Sequence, residues 1–242
     1  MKPVKYTNTV LHISEKQIYI HMVLYTPKYL QVLIFDLEAY VPKADRRRRY
    51  GTSLTVNPYK PEHTLLGGVF SLKNPATGEV YADFAHHWTW REGGEEEVVQ
   101  SIYALFAGIR ARIRDKPAHA ADPVICGIGI GTFDMPFLYT KFLQYQVAPP
   151  EEIYEVFCKN RVVDLSVAGI GFLQKQAPLL HPRAHNELAD RFVPDRGKKP
   201  TGKVVWELYD DREFAAIESR CEGEVREMAK IYEALLGESI SE

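Results

Sequence analysis

The apolar positions along the chain group into short runs that predict strands. Residues 31–37 are apolar on both faces, as expected of a central strand that is buried between two layers. Two further runs are separated by the turn-forming sequence NPATG at residues 74–78, which predicts a β-hairpin. The apolar runs together predict five strands, at residues 31–37, 65–72, 79–84, 123–130 and within 156–165.

Segments with helical spacing of apolar residues alternate with these runs. The spacing predicts helices over residues 95–114, from about 134 to 145, and from about 212 to 236. The order of strands, hairpin and helices predicts an α/β fold, a mixed five-stranded sheet flanked by helices. We expect one domain over residues 31–237, preceded by an extension over residues 1–30 that could add an extra strand.

The composition limits the classes of protein to which the chain can belong. Its 242 residues are 45% hydrophobic, which is enough to bury a core, and its net charge of −2 gives no global attraction for nucleic acid. The cysteines Cys126, Cys158 and Cys221 form no CxxC pair, which argues against a disulfide framework or a zinc ribbon and fits a reducing compartment. The sequence shows no signal-peptide pattern and no long apolar stretch, so we expect a cytoplasmic protein with no membrane partner.

The first candidate metal-binding residues lie on the first strand, in the sequence FDLE. Side chains alternate along a strand, so Asp36 and Glu38 point to the same face, roughly 7 Å apart at their roots. Two carboxylates side by side repel each other and resist burial unless a divalent cation neutralises them. The pair therefore predicts a site for Mg²⁺, whereas the simpler alternative is a strand end that runs into solvent.

A second candidate carboxylate follows the fourth strand. Asp134 lies where that strand turns into a helix, and the apolar residues Phe137, Leu138 and Phe142 place it on the inward face of the helix. The alternative is that Asp134 caps the helix, because aspartate is favoured at the N-cap. The two roles can coexist in one residue.

The third candidate is Glu224 in the last long helix. The apolar seam of this helix passes through position 224, and a carboxylate on a buried face needs a partner, a proton or a metal ion. The alternative is an ion pair with Arg220, one helical turn earlier. Acids from these three elements could meet at one end of the sheet, as required by two metal ions that stabilise an in-line displacement at phosphorus.

These segments resemble the motifs of a known enzyme family. The sequences IFDLE, TFDMPFL and CEGEVREMAKIYEALL are similar to the three motifs of the DEDD 3′–5′ exonucleases, and VDL at residues 163–165 resembles a strand end found between the second and third. The resemblance covers residues 31–236 and is greatest to predicted exonucleases related to the proofreading domain of family B DNA polymerases. It implies an RNase H-like fold, two Mg²⁺ or Mn²⁺ ions, and removal of nucleotides from 3′ ends. The implied metal ligands and catalytic residues are Asp36, Glu38, Asp134 and Glu224.

The third motif departs from the family pattern. Glu224 stands where the family has aspartate, and Arg220 and Ser219 stand where its two subgroups have tyrosine and histidine. Glutamate still ligates a divalent ion, but the residue that usually orients the attacking water is missing. The leading hypothesis is a two-metal 3′–5′ exonuclease, with DNA favoured as substrate. The alternatives are a catalytically weakened nuclease-like module that binds nucleic acid or a protein partner, and an endonuclease on the same fold.

Basic and aromatic residues near these motifs could hold a nucleic-acid substrate, which we expect to be a single strand or a 3′ end. Phe137 could stack on a terminal base, although the position also fits the core. Lys203 belongs to a basic stretch that either faces the substrate or is simply solvated. Four consecutive arginines in the long polar loop after the first strand suit phosphates; otherwise they form a solvated loop or contact a partner protein. They are Arg46, Arg47, Arg48 and Arg49.

Overall fold

The structure is a computed structural model of the chain. It describes residues 29–46, 56–114, 123–173, 181–193 and 204–237. The extension expected at residues 1–30 lies outside these ranges except for its last two residues.

One mixed sheet holds the five strands of the described residues, in the order β3-β2-β1-β4-β5. The strands are β1 (Val32–Tyr40), β2 (Thr64–Asn74), β3 (Glu79–Trp88), β4 (Val124–Gly127) and β5 (Arg161–Asp164). The central strand β1 pairs antiparallel with β2 and parallel with β4. The hairpin of β2 and β3 completes one side, and the parallel pair of β4 and β5 completes the other. The predicted hairpin and the mixed five-stranded α/β sheet are both confirmed.

The strand ends differ from the predicted ones for local reasons. β4 ends at Gly127, because the chain turns at Gly129, whose φ of +71° is left-handed. The apolar residues that follow belong to the loop that leads to Asp134. β1 and β3 continue beyond their predicted ends because β2, with 11 residues, is long enough to pair with both.

Helices of the described residues connect the strands and cover the sheet. α8 begins at Phe214, slightly later than predicted, because Arg212 has a φ of +60° and separates it from α7. Short 3₁₀-helical segments lie at Lys43–Asp45 and Gly169–Phe172, and a π-helical segment lies at Tyr154–Cys158. The α-helices are α1 (Thr89–Glu92), α2 (Glu95–Arg114), α3 (Asp134–Gln144), α4 (Pro150–Ile153), α5 (Leu165–Ala168), α6 (His185–Phe192), α7 (Val204–Asp210) and α8 (Phe214–Gly237).

The two faces of the sheet bury separate cores. Ile34 packs into the core shared with α5, α6, α7 and α8, whereas Phe35 packs into the core shared with α2, α3 and α4. Because side chains alternate along β1, Asp36 and Glu38 point to the same face as Ile34. The alternation therefore directs both carboxylates towards α8.

Two glycines of β2 let that strand approach its neighbours closely, Gly68 on the side of β1 and Gly67 on the side of β3. Gly68 pairs with Leu37, Gly67 pairs with Glu38, and the register shifts directly afterwards. A Cβ atom at Gly68 would lie 2.4 Å from the carbonyl oxygen of Asp36, and one at Gly67 would lie 1.9 Å from that of His87. Only glycine fits such an approach, so the backbone that carries the candidate carboxylates is tightly enclosed.

Candidate metal centre

The first two carboxylates lie where the sequence predicted, on one face of the central strand. Glu38 is 9% exposed and Asp36 is partly buried. A ligand atom of each lies within 4.8 Å of the other and of the Sγ atom of Cys221, which projects from α8. The alternative of a strand end open to solvent is therefore wrong.

α8 contributes three residues to the same place. Cys221 and Glu224 are three residues apart on the helix and share its inner face with Arg220. A terminal nitrogen of Arg220 lies 2.5 Å from Oε1 of Glu224, and its Nε lies 3.8 Å from Oε1 of Glu38. The ion pair of Glu224 with Arg220 is therefore present, and the charge of Glu224 also acts on the carboxylates of β1. Its role as a metal ligand stays a prediction.

Asp134 is the first residue of α3, and its side chain is not the cap of that helix. The N-cap is Phe133, without a side-chain cap hydrogen bond, so the capping alternative is wrong. Asp134 is 5% exposed, and within the described part of the chain its Oδ1 has no hydrogen-bond partner. Burial raises the pKa of Asp134 to about 7, although the backbone amides of Asp134 and Leu37 oppose this shift.

The loop before Asp134 is fixed by Asp164 at the end of β5. Oδ1 of Asp164 accepts hydrogen bonds from the backbone amide of Gly129, at 2.9 Å, and from the amide and hydroxyl of Ser166. Oδ2 accepts from the amide of Gly131. The strand-end aspartate of the VDL sequence therefore caps α5 and holds the turn that carries Asp134 towards β1.

The electrostatics of the cluster are those of like charges held together away from water. The pKa of Asp36 is raised well above its ordinary value by burial, and further by the charges of Glu224, Glu38 and Asp134. Burial also raises the pKa of Glu38, Glu224 adds to the shift, and Arg220 opposes it. Carboxylates in such surroundings become protonated or bind a cation. Their oxygens are hard ligands of the kind that Mg²⁺ and Mn²⁺ prefer.

Arg46 belongs to a structural network, and its role in binding nucleic acid stays a prediction. Its side chain is 16% exposed and forms a 2.9 Å ion pair with Asp210. Its Nε donates to the carbonyl oxygen of Val41 at 2.8 Å, and its guanidinium lies over the rings of Tyr40 and Trp206. These contacts occupy Nε and one terminal nitrogen of the guanidinium. The other predicted basic residues, Arg47, Arg48, Arg49 and Lys203, lie outside the described residues.

Phe137 lies in the core, which corrects its predicted role in stacking on a base. It is 3% exposed, and its ring stacks on that of Phe133 with 5.4 Å between the centroids. The Nζ atom of Lys141 lies over the same ring. The structure supports the alternative, in which Phe137 is a core residue.

The sequence interpretation missed the place of Cys221. Its thiol lies 3.4 Å from the carbonyl oxygen and 3.6 Å from Oδ2 of Asp36, so it can donate a hydrogen bond to either atom. The sequence pattern assigned Cys221 only to the apolar seam of the helix. Its spacing of three residues from Glu224 was the available signal that both would face β1.

The sheet topology, the flanking helices and the acidic end of the central strand define an α/β protein of RNase H-like fold. No protein-family model matches the chain, and no curated protein matches it. Among solved structures, the chain is similar to the family B DNA polymerase from the hyperthermophilic archaeon Pyrobaculum calidifontis, with a TM-score of 0.52 and 17% sequence identity. The match covers 86% of this chain but only 24% of the polymerase, and at this identity it shows the fold alone.

None of the described helices combines the length and the apolar character that crossing a membrane requires.

Proposed function

We propose that the protein is a metal-dependent nuclease and, more specifically, a 3′–5′ exonuclease. The observation that carries the proposal is that the carboxylates of Asp36 and Glu38 lie together on β1, where the charges of Asp134 from α3 and Glu224 from α8 act on both. Their mutual repulsion and burial destabilise the ionised cluster unless a cation neutralises it. Groups with strongly perturbed pKa values gather at functional sites more often than elsewhere, which supports a catalytic role for this place.

The residues present fit Mg²⁺ or Mn²⁺. All four carboxylates offer hard oxygen ligands, and Asp134 keeps a buried oxygen that no described residue satisfies. When bound, the ions would stabilise the attacking and leaving oxygens of a phosphodiester. The residues that would hold them are Asp36, Glu38, Asp134 and Glu224.

The chain itself would prepare these ligands. The thiol of Cys221 donates to Asp36 and so favours the ionised form of that carboxylate. Arg220 does the same for Glu38 through its positive charge. The turn that Asp164 fixes holds Asp134 near β1, so the ligands are oriented before any substrate arrives.

Two observations support nucleic acid as the substrate and the 3′ end as the point of attack. The three acidic segments resemble the motifs of the DEDD 3′–5′ exonucleases in the right order. The solved structure with the similar fold is a DNA polymerase, which favours DNA over RNA.

The proposal is tested with a single DNA strand labelled at its 3′ end. We expect release of the label in the presence of Mn²⁺ or Mg²⁺ and no cleavage of a circular single strand, which has no end. Asp36→Asn should lower the rate by about 100-fold or more, since it removes a charged ligand from the site. Asp83→Asn, an exposed aspartate on β3, is the matched control and should keep the rate. An unchanged rate in Asp36→Asn would refute the site, and cleavage of the circle would indicate an endonuclease.

The second candidate function is a nuclease-like module that binds nucleic acid or a protein partner without efficient cleavage. The observation that favours it is Arg220, which lies where the resembled motif has a tyrosine and which pairs with Glu224. Retention of a single strand by the wild-type protein, without cleavage in Mg²⁺ or Mn²⁺, would support this candidate over the exonuclease.

A further inference from the structure

A guanidinium group already lies inside the carboxylate cluster. Arg220 contacts Glu224 at 2.5 Å and approaches Glu38 at 3.8 Å. The side chains of Arg220, Glu38 and Glu224 are only 12%, 11% and 13% exposed. The charge of Arg220 therefore belongs to the site, and its ion pair with Glu224 is not an exposed pair on the helix surface.

We infer that the cluster takes a single divalent ion, because the guanidinium of Arg220 serves as its second cation. The inference rests on the proposed metal-binding function and revises it in two respects: one ion replaces two, and Glu224 pairs with Arg220 and is not a metal ligand. The ion would be held by Asp36, Glu38 and Asp134, and Glu224 would remain paired with Arg220. Arg220 is thus a positioning and charge-balancing residue of the site.

The charges of the site favour one divalent ion on Asp36, Glu38 and Asp134, with Glu224 paired to Arg220. Arginine stays protonated under all ordinary conditions, so its charge cannot be removed to make room for another cation. A second divalent ion next to the guanidinium would be repelled strongly, because charges in a largely buried site are poorly screened by solvent and salt.

An independent observation indicates that a cation is still needed next to Asp36. Oδ1 of Asp134 is buried and has no hydrogen-bond partner among the described residues. The single positive charge of Arg220 is shared between Glu38 and Glu224 and offsets one of their two negative charges, but no described cation pairs with Asp134. One ion at this end would satisfy the orphaned oxygen together with the carboxylates of β1.

The same helix carries a matched pair for comparison. Arg226 forms an ion pair with Glu222, also four residues away, but the two side chains are 55% and 30% exposed. Arg226 also lies over the ring of Phe84, away from the carboxylates of β1. A variant of Arg226 therefore removes the same kind of pair from α8 without changing the charge of the site.

The test counts bound Mn²⁺ ions per chain by equilibrium dialysis and elemental analysis, with no measurement of activity. We expect one ion for the wild-type protein, two for Arg220→Gln, and one for both Arg220→Lys and Arg226→Gln. The lysine variant keeps the charge, so it separates an effect of charge from a disturbance of folding. Circular dichroism of each variant establishes that the chain is folded when the ions are counted.

Two ions in the wild-type protein, or one ion in folded Arg220→Gln, would overturn the inference and leave the proposed nuclease function standing. A second ion in Arg226→Gln would also overturn it, because the effect would not depend on the site. No ion in either the wild-type protein or Arg220→Gln would overturn both the inference and the metal-dependent function on which it rests.

Discussion

The thiol of Cys221 lies 3.6 Å from Oδ2 of Asp36 and joins the last helix to the central strand. The contact is partly buried, since Cys221 is 0% exposed and Asp36 is partly exposed. The thiol is the donor because its own pKa is raised by burial and by Asp36. α8 therefore does more than cover the sheet. It carries a hydrogen-bond donor that favours the ionised form of a candidate metal ligand.

The first prediction concerns this donor. Cys221→Val keeps an apolar side chain of similar size but removes the hydrogen bond that lowers the pKa of Asp36. The pKa of Asp36 should rise further, so Mn²⁺ binding, which needs the carboxylate, should begin at higher pH than in the wild-type protein. Titration of Mn²⁺ affinity against pH measures the shift. Cys126→Val, a buried cysteine of β4, is the control, and an equal shift in both variants would refute the role of the donor.

The second prediction concerns stability against pH without divalent ions. Asp134 has a folded-state pKa of about 7 against an ordinary value of 3.8, so the folded chain binds more protons than the unfolded chain between these values. Stability should therefore fall as the pH rises from about 4 to about 7 and then level off, by at most roughly 4 kcal/mol for this group. The raised pKa values of Asp36 and Glu38 act in the same direction.

Urea denaturation in the presence of a chelator measures this dependence. Asp134→Asn should show a shallower fall in the free energy of unfolding over the same pH range, because it carries no carboxyl to ionise. If the free energy of unfolding changes equally from pH 4 to pH 7 in the wild-type protein and in Asp134→Asn, the raised pKa of Asp134 is contradicted.

The third prediction separates a structural from a substrate-binding role for Arg46. Arg46→Ala leaves the partly buried carboxylate of Asp210 without its 2.9 Å partner and the carbonyl of Val41 without its donor. It should lower the free energy of unfolding by about 1–3 kcal/mol. Lys43→Ala, which removes an exposed side chain 3.5 Å from the same carboxylate, should change it by less than about 1 kcal/mol. If Arg46→Ala keeps full stability but weakens binding of a single DNA strand, the original substrate-binding prediction is right.

The fourth prediction concerns the close approach of β2 to β1. Gly68→Ala places a Cβ atom against the carbonyl oxygen of Asp36, so it should lower the free energy of unfolding by about 1–3 kcal/mol and weaken Mn²⁺ binding. Gly108→Ala is the contrasting control, because a Cβ atom in the middle of α2 meets nothing within 4 Å. That variant should gain about 0.5–1 kcal/mol. Equal effects of the two variants on Mn²⁺ binding would contradict the packing behind Asp36.

The strands could be predicted from short apolar runs between turn signals, and the pair on β1 could be predicted from the alternation of side chains along a strand. The two-residue period of a strand fixes which face receives Asp36 and Glu38, whatever the rest of the chain does. The end of β4 could not be predicted from its apolar run, since Ile130 stays buried after the turn at Gly129.

The roles of single residues at the site depended on contacts between distant segments. Helical spacing places Phe137 and Asp134 on the inner side of α3, but it cannot say that one ends in the core and the other beside β1. The spacing of four residues allowed an ion pair of Glu224 with Arg220 and a place for Glu224 in the cluster. It could not show that both occur, because this depends on how closely α8 packs on β1.

The most direct test of the central claim is the effect of Mn²⁺ on thermal unfolding at neutral pH. A cation that binds only the folded carboxylate cluster stabilises it by about 2.7 kcal/mol when its concentration is 100 times the Kd. We expect Mn²⁺ to raise the Tm of the wild-type protein and of Asp83→Asn, and to leave that of Asp36→Asn unchanged. A wild-type Tm that does not respond to Mn²⁺, or an equal rise in Asp36→Asn, would contradict the claim that these carboxylates form a metal centre.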